Sequence, residues 1–181
     1  MRKPLAVLAL FLLFGCDERP TPKPMASAAP VAQRPVTLSC DATLPEGWTR
    51  VAKPMPEHIA EFSTMPAGTR ALSTVMLEEH DGELDDAVDA EKRRTEAAWG
   101  DRHDFALIAE QPLSASGHDG TLLVYRWRPG PTSPDWIHYR ALLPFEERVV
   151  LGLAETIAGG QRGRDEDAIV KILSSLSCKP R

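Results

Sequence analysis

Residues 121–154 read TLLVYRWRPGPTSPDWIHYRALLPFEERVVLGLA, and this segment carries the clearest pattern of secondary structure in the chain. Branched and aromatic residues fill three runs, at 121–128, 136–143 and 148–154. Turn-forming residues separate the runs, with Pro and Gly prominent between the first two. Short strands joined by such turns pair as antiparallel hairpins. The stretch therefore predicts a meander of consecutive strands.

A helix is predicted on each side of this meander. Residues 83–99 place acids in the first turn and end at Gly100, while residues 165–176 also begin with acids. Acids in the first turn favour a helix because they complement its dipole. The residues at helical spacing are Leu84, Ala87, Val88, Glu91 and Ala98 in the first helix, and Ala168, Ile169, Ile172, Leu173 and Leu176 in the second. Both segments are predicted to pack one face on a sheet.

Further strands are predicted around the first helix. Residues 105–111 follow it, and the segments 48–51, 59–63 and 69–79 precede it. The predicted order is β-β-β-α-β-β-β-β-α. This order indicates an α+β fold, with a largely antiparallel β-sheet and helices packed on it.

Short motifs spread over about residues 44–178 point to a known family. They are Pro45-Glu46-Gly47-Trp48, the strand 73–78 leading into a helix that opens at Leu84, Gly120, and the terminal segment Ile169 to Leu176. In these motifs the sequence resembles the DcrB-like and PsbP-like domains. The resemblance implies an α/β/α sandwich. DcrB is an inner-membrane lipoprotein, and other members are photosystem subunits, binding modules or chaperones of secreted toxins, so fold alone fixes no function.

The N-terminus carries the features of a bacterial lipoprotein signal. Arg2 and Lys3 precede an unbroken apolar run at residues 5–14, and Gly15-Cys16 follows it. The run is too short to span a bilayer, so we predict a signal peptide at residues 1–15. Leu13-Phe14-Gly15-Cys16 resembles the lipobox, which implies acylation of Cys16 and attachment to a lipid bilayer. The alternative is an ordinary secretory signal in which Cys16 lies near the cleavage site by chance.

Residues 16–39 are predicted to form a lipidated, Pro/Ala-rich tether, and residues 40–178 a single globular domain. The tether contains five prolines and no aromatic residue, so it cannot build a core. Asp17 directly follows Cys16 and resembles the signal that retains lipoproteins in the inner membrane. The predicted location is the cell envelope, facing the periplasm.

The chain contains 3 cysteines, an odd number for an exported protein. If Cys16 carries lipid, Cys40 and Cys178 remain at the two ends of the domain. Thiols oxidise in the envelope, so these two are predicted to form a disulfide. The alternative is a pair of unbonded, buried thiols.

Composition excludes some classes of function. The formal net charge is -5, and no block of basic residues occurs, so nucleic-acid binding is not expected. Hydrophobic residues make up 43% of the chain, which is enough to build a core.

Two similar triplets, His80-Asp81-Gly82 and His118-Asp119-Gly120, are candidate metal or proton-transfer groups. Asp-Gly is also a favourable turn sequence, and both triplets fall where a strand is expected to end. We interpret both as surface turns. No metal site and no cofactor is predicted.

The motifs of common enzymes are missing. Ser114-Ala115-Ser116-Gly117 lacks the first glycine of a nucleophile elbow. Residues 159–164 precede a helix, as a phosphate-binding loop does, but lack the Walker pattern and are interpreted as a flexible link. Residues 101–104 are interpreted as a solvated loop. The chain is therefore predicted not to be an enzyme.

One segment has the composition of a protein contact site. Between Arg128 and Trp136, Pro129, Pro131 and Pro134 stiffen a loop beside a tryptophan that we expect to be exposed. Trp127 and Tyr139 share strand faces with other apolar residues, so they are interpreted as core. If one patch contacts a partner, Arg128 and Trp136 are the predicted contacts with an unidentified envelope protein. The predicted function is a non-enzymatic, membrane-anchored envelope lipoprotein that binds or stabilises a partner protein. The alternative is a periplasmic protein that binds a small ligand or metal.

Overall fold

The computed structural model describes residues 37–64, 73–158 and 163–181. The predicted signal peptide (residues 1–15), Cys16, Asp17 and residues 16–36 of the predicted tether lie outside the described residues. So do residues 159–162 of the predicted link and the first part of the predicted strand 69–79.

The predicted order of strands and helices is confirmed, and one strand is added at each end. The elements are β1 Leu38–Asp41, β2 Thr49–Arg50, β3 Ala60–Ser63, β4 Thr74–Asp81, α1 Leu84–Trp99, β5 His103–Ala115, β6 His118–Arg128, β7 Trp136–Phe145, β8 Arg148–Ile157, α2 Gly163–Ser174 and β9 Ser177–Pro180. No described helix is long and apolar enough to cross a membrane.

Strands β2 to β8 form one antiparallel sheet in the order β2-β3-β4-β8-β7-β6-β5. The predicted meander and the strand predicted directly after α1 together form its larger half, β5 to β8. After β4, helix α1 carries the chain to β5 at the far edge of the sheet, and β5 to β8 then return toward β4. The half formed by β2 to β4 and the half formed by β5 to β8 therefore join where β4 pairs with β8. The predicted α+β class is confirmed.

The two helices cover opposite faces of this sheet. Helix α2 packs on a large apolar core that includes Leu122, Val124 and Leu143. Helix α1 packs on the opposite face of the same strands, where the intervening residues, among them Leu123 and Leu142, face it. Successive side chains of a strand point to opposite faces, so the sheet is buried on both sides. The result is the α/β/α sandwich that the resemblance implied.

The inner side of α1 is unusually polar. Its buried residues are Val88, Glu91 and Thr95, so Val88 is the only large apolar one among them. Helix α2 instead buries Ile169, Ile172 and Leu173 completely. Hydrophobic burial therefore holds α2, whereas polar contacts carry much of the attachment of α1.

The added strands β1 and β9 pair with each other in a separate two-stranded ribbon. Cys40 and Cys178 face each other in its register and form the predicted disulfide, with Cα atoms 4.1 Å apart. Leu38 and Ser39, at the end of the predicted tether, already belong to β1. Strands this short have too few residues to show a period in the sequence.

One of the two predicted triplet turns is wrong. Gly82 has a φ of 113° and ends the β4 strand as expected. The second turn, however, lies at Ser116 and Gly117, where φ is 50° and 81°. His118-Asp119-Gly120 belongs to β6, and Gly120 is required there because an added Cβ would overlap the carbonyl oxygen of Leu142.

Candidate functional site

Three of the chain's 4 tryptophans meet at one end of the sheet. Trp99 is the last residue of α1, and Trp127 and Trp136 are register partners in β6 and β7. The ring centroids of Trp99 and Trp127 lie 5.0 Å apart, and those of Trp127 and Trp136 5.9 Å apart. All three side chains are partly exposed. We call this group, with Arg102 and Arg128, the tryptophan end.

A buried histidine fixes the central ring. Trp127 donates from Nε1 to Nε2 of His138 at 2.8 Å, and His138 is only 1% exposed. The Trp99 and His138 rings also pack nearly perpendicular to each other, with centroids 4.7 Å apart. On the outer side the Arg102 guanidinium lies 5.5 Å from the Trp99 ring and 6.0 Å from the Trp127 ring. These contacts restrict the rotamers of the rings before any partner arrives.

The predicted contact residue Arg128 is held by two carboxylates. It donates to Asp135, seven residues on, and its Nη1 lies 3.1 Å from Asp104. The hydrogen bond with Asp135 raises the pKa of Arg128 and lowers the pKa of Asp135. The backbone of Asp135 is fixed in turn, because its carbonyl accepts from the amide of Ala158 at 2.8 Å. The loop between Arg128 and Trp136 is thus closed at its base.

The structure brings Arg128 and Trp136 together, as predicted, but Trp136 is partly covered by Trp127 rather than fully exposed. Residues 101–104 are exposed, as predicted, but the last two, His103 and Asp104, belong to β5 rather than to a loop. Arg102 lies over two indole rings, and Asp104 pairs with Arg128. Trp99 and Arg102 were missed as site residues because their position depends on which strand end lies beside the C-terminus of α1.

A second polar group lies under the middle of α1. The Glu91 side chain is 4% exposed and accepts from Arg94 Nε at 2.7 Å and from Thr95 Oγ1 at 3.0 Å. Arg140 Nε of β7 lies 3.1 Å from Glu91 Oε1, the oxygen that also accepts from Thr95. Burial lowers the pKa of Arg140, against the attraction of Glu91. This ion pair joins the helix to the sheet.

Glu78 on β4 continues the polar group toward the other end of the sheet. Its carboxylate lies 3.3 Å from His80 Nε2 and 3.6 Å from Arg94 Nη1. The hydrogen bond with His80 is the main reason why the pKa of Glu78 is lowered, and Arg94 adds to the effect. Arg94 is therefore shared between Glu78 and Glu91.

The two histidine triplets do not converge. His80 lies on β4 and His118 on β6, with β8 and β7 between those strands. Within the described part of the chain, no group of three or more His, Cys, Asp or Glu side chains is placed to hold a metal ion.

The sheet and its two covering helices form a PsbP-like fold. The solution structure of cyanobacterial PsbP (CyanoP) from Synechocystis sp. PCC 6803 matches with a TM-score of 0.53 and 13% identity, over 88% of this chain and 100% of that one. The crystal structure of LpqN, involved in cell envelope biogenesis of Mycobacterium tuberculosis, matches with a TM-score of 0.54 and 14% identity, over 82% of this chain and 88% of LpqN. No protein-family model and no curated protein sequence matches the chain. The resemblance noted in the sequence motifs is thus confirmed at the level of fold.

Proposed function

We propose that this chain is a lipid-anchored accessory protein of the bacterial cell envelope. In this proposal it binds a partner protein through the tryptophan end and catalyses no reaction. The observation that carries the proposal is the set of partly exposed tryptophans held in place by His138, Arg102 and the Arg128–Asp135 pair. Trp and Arg dominate the binding energy of protein interfaces, and rigid side chains lose little entropy on binding.

Two observations support the envelope location. The N-terminal sequence has the charged head, apolar run and Gly15-Cys16 junction of a lipoprotein signal. LpqN, which shares the fold, is described as involved in cell envelope biogenesis. We place the protein on the periplasmic side of the inner membrane because Asp17 follows Cys16.

The sheet separates the tryptophan end from the point where the chain enters the domain. Thr37 donates from its backbone amide to Glu79 at 2.9 Å, near the end of β4. In the sheet register Glu79 pairs with Val150, whereas Trp136 pairs with Ile157 at the opposite end of β8. Val150 and Ile157 are seven residues apart on β8, so the two points are separated by roughly 23 Å along the strand. The described chain therefore enters the domain at the end of the sheet opposite to the tryptophan end.

Photo-crosslinking in intact cells tests the partner surface. A benzophenone amino acid is placed at Thr132, exposed in the loop beside Trp136, and in a separate variant at Glu147, exposed in the turn at the opposite end. We expect one discrete crosslinked protein from Thr132, absent from Glu147 and reduced when Trp136→Ala is added. Equal crosslinking from both positions, or none from Thr132 in a folded protein, rejects the tryptophan end as the contact site.

The anchor is tested separately. Cys16→Ala is expected to accumulate as unprocessed precursor and to lose labelling by a palmitate analogue. Cys40→Ser with Cys178→Ser is the matched control, because it removes cysteines but keeps Cys16. Unchanged labelling of Cys16→Ala contradicts lipid anchoring but leaves the tryptophan end open to the crosslinking test.

A further inference from the structure

A cavity of about 300 Å³ lies between the N-terminal half of α1 and strands β4, β7 and β8. Its floor is formed by Leu142, Val149 and Leu151 of the sheet, and Ala87 and Ala90 form the wall on the helix. Its volume is at the lower end of the range for small-molecule sites, which are mostly apolar with a few converging polar groups.

The sequence of α1 explains why this space is not filled. Ala87 and Ala90 present only methyl groups where the helix crosses the sheet, and Val88 is the only large apolar residue buried on the helix. The Glu91 ion pairs hold the next turn of the helix against Arg140 of β7. The helix is thus supported beside the cavity by polar contacts, and the apolar side chains that it contributes to the lining are those of Ala87 and Ala90.

The polar residues at the rim carry more negative than positive charge. Carboxylates of Asp81, Asp86 and Glu91 line the cavity, whereas Arg94 is the only Lys or Arg among its lining residues. Arg94 is already bound, at 2.7 Å to Glu91 and 3.6 Å to Glu78. Asp81 pairs with Arg148, but no described residue forms an ion pair with Asp86. Arg140 and Arg148, just outside the lining, balance Glu91 and Asp81. Asp86 is therefore the carboxylate that favours a positive group at the rim over a negative one.

We propose that this cavity binds a small aliphatic amine. The alkyl chain lies on Leu142, Val149 and Leu151, and the ammonium group faces Asp86 at the rim. The apolar cavity carries the proposal, and the charge at the rim decides the sign of the ligand. This site is independent of the proposed partner surface, since His80 on its rim pairs with Val149 near the end of the sheet opposite to Trp136.

Three probes of equal chain length separate the contribution of the alkyl chain from that of the head-group charge. They are hexylammonium, hexanoate and hexanol. Each is titrated to ~20 mM, because so few atoms bind weakly, into the full-length chain in lipid nanodiscs. Binding is followed by NMR of labelled methyl groups of Leu142, Val149 and Leu151. We expect saturable shifts with hexylammonium, at least fivefold weaker binding of hexanol, and no saturation with hexanoate. No saturable shift with any probe, or equal binding of hexanoate, overturns the proposal.

Two variants and a control locate the ligand. Asp86→Asn is expected to weaken hexylammonium binding at least threefold and to leave hexanol binding unchanged. Ala87→Leu fills the cavity and should abolish both. Ala98→Leu adds the same side chain at an exposed position of α1 outside the cavity and should change neither. If Asp86→Asn binds hexylammonium as tightly as the parent chain, the assigned ammonium position is wrong, even if Ala87→Leu does not fold.

Discussion

Trp127 donates a hydrogen bond from Nε1 to Nε2 of His138 at 2.8 Å, across the β6–β7 pair. An indole nitrogen can only donate, so Nε2 of His138 must accept. The neutral imidazole then carries its own proton on Nδ1, where the nearest polar contact is Arg140 Nη2 at 3.5 Å. The tryptophan end and the polar group under α1 thus meet at one buried ring.

The tautomer of His138 is the first prediction. We expect the Nδ1–H form to dominate when the ring is neutral, because the 2.8 Å hydrogen bond from Trp127 is shorter than the two contacts that favour a proton on Nε2. Those contacts are Arg140 Nη2 at 3.5 Å from Nδ1 and Glu155 Oε2 at 3.4 Å from Nε2. Nitrogen-15 chemical shifts of the ring report the tautomer directly. Trp127→Phe keeps an aromatic ring but removes the donor, so it should shift the population toward Nε2–H. A dominant Nε2–H form in the parent chain contradicts the hydrogen bond.

The second prediction concerns the buried ion pair of Glu91 and Arg140. Glu91→Ala leaves Arg140 buried without its carboxylate, so we expect the free energy of unfolding to fall by about 3 kcal/mol or more. Glu96→Ala is the control, since Glu96 is exposed one turn further along the same helix. Urea unfolding measures both. A similar, small loss in the two variants would show that Glu91 is not essential to the attachment of α1.

The sequence predicted the sheet because its elements depend on local pattern. Residues 121–154 alternate strand formers with turn formers, and the three longest strands after β5 were found within a few residues of their bounds. The disulfide followed from the number and position of the cysteines. Glu91 was also visible, as a charged residue on the inner stripe of α1, but its partner Arg140 lies 49 residues away and depends on the topology.

The parts that were missed depend on contacts between distant segments. The pairing of β1 with β9 joins residues 138 apart, and neither strand is long enough to show alternation. The second triplet was misplaced because Ser116-Gly117 and Asp119-Gly120 are both acceptable turn sequences, and only the packing of Gly120 against Leu142 selects the first. Trp99 joined the site only through the position of α1 on the sheet.

The third prediction is that stability depends on pH through Glu79. This carboxylate accepts hydrogen bonds from Thr37 and Leu38, the first described residues of the domain. Burial opposes its ionisation, but hydrogen bonds from Thr37 and from the amide of Leu38 outweigh this and lower the pKa of Glu79 below its ordinary value of 4.5. A lowered pKa stabilises the fold above the ordinary value, and this contribution is lost as pH falls through the folded-state pKa.

Glu79→Gln should therefore reduce the free energy of unfolding by about 1–2 kcal/mol at neutral pH, since hydrogen bonds to a charged acceptor are replaced by weaker ones to a neutral amide oxygen. The difference from the parent chain should narrow as pH falls below 4.5, the ordinary pKa of Glu79. Glu147→Gln, at an exposed turn, is the control and should show neither effect. Chemical unfolding between pH 3 and 7 measures the free energy of unfolding of the parent chain and of each variant. If the difference between the parent chain and Glu79→Gln is constant across this range, the charge of Glu79 has no role in stability.

The last prediction concerns Trp136, the outermost ring of the tryptophan end. Its indole is partly exposed, and Trp127 supports one side of it, so truncation removes contact area that a partner protein could bury without further ordering. Trp136→Ala is expected to weaken binding of the crosslinked partner by about 1 kcal/mol or more, roughly fivefold in Kd. Trp136→Phe should retain part of the affinity, and Glu147→Ala at the opposite end should retain all of it. Binding of the purified partner is measured by calorimetry, beside an unfolding curve for each variant. Full affinity in a folded Trp136→Ala protein would move the contact site away from the tryptophan end.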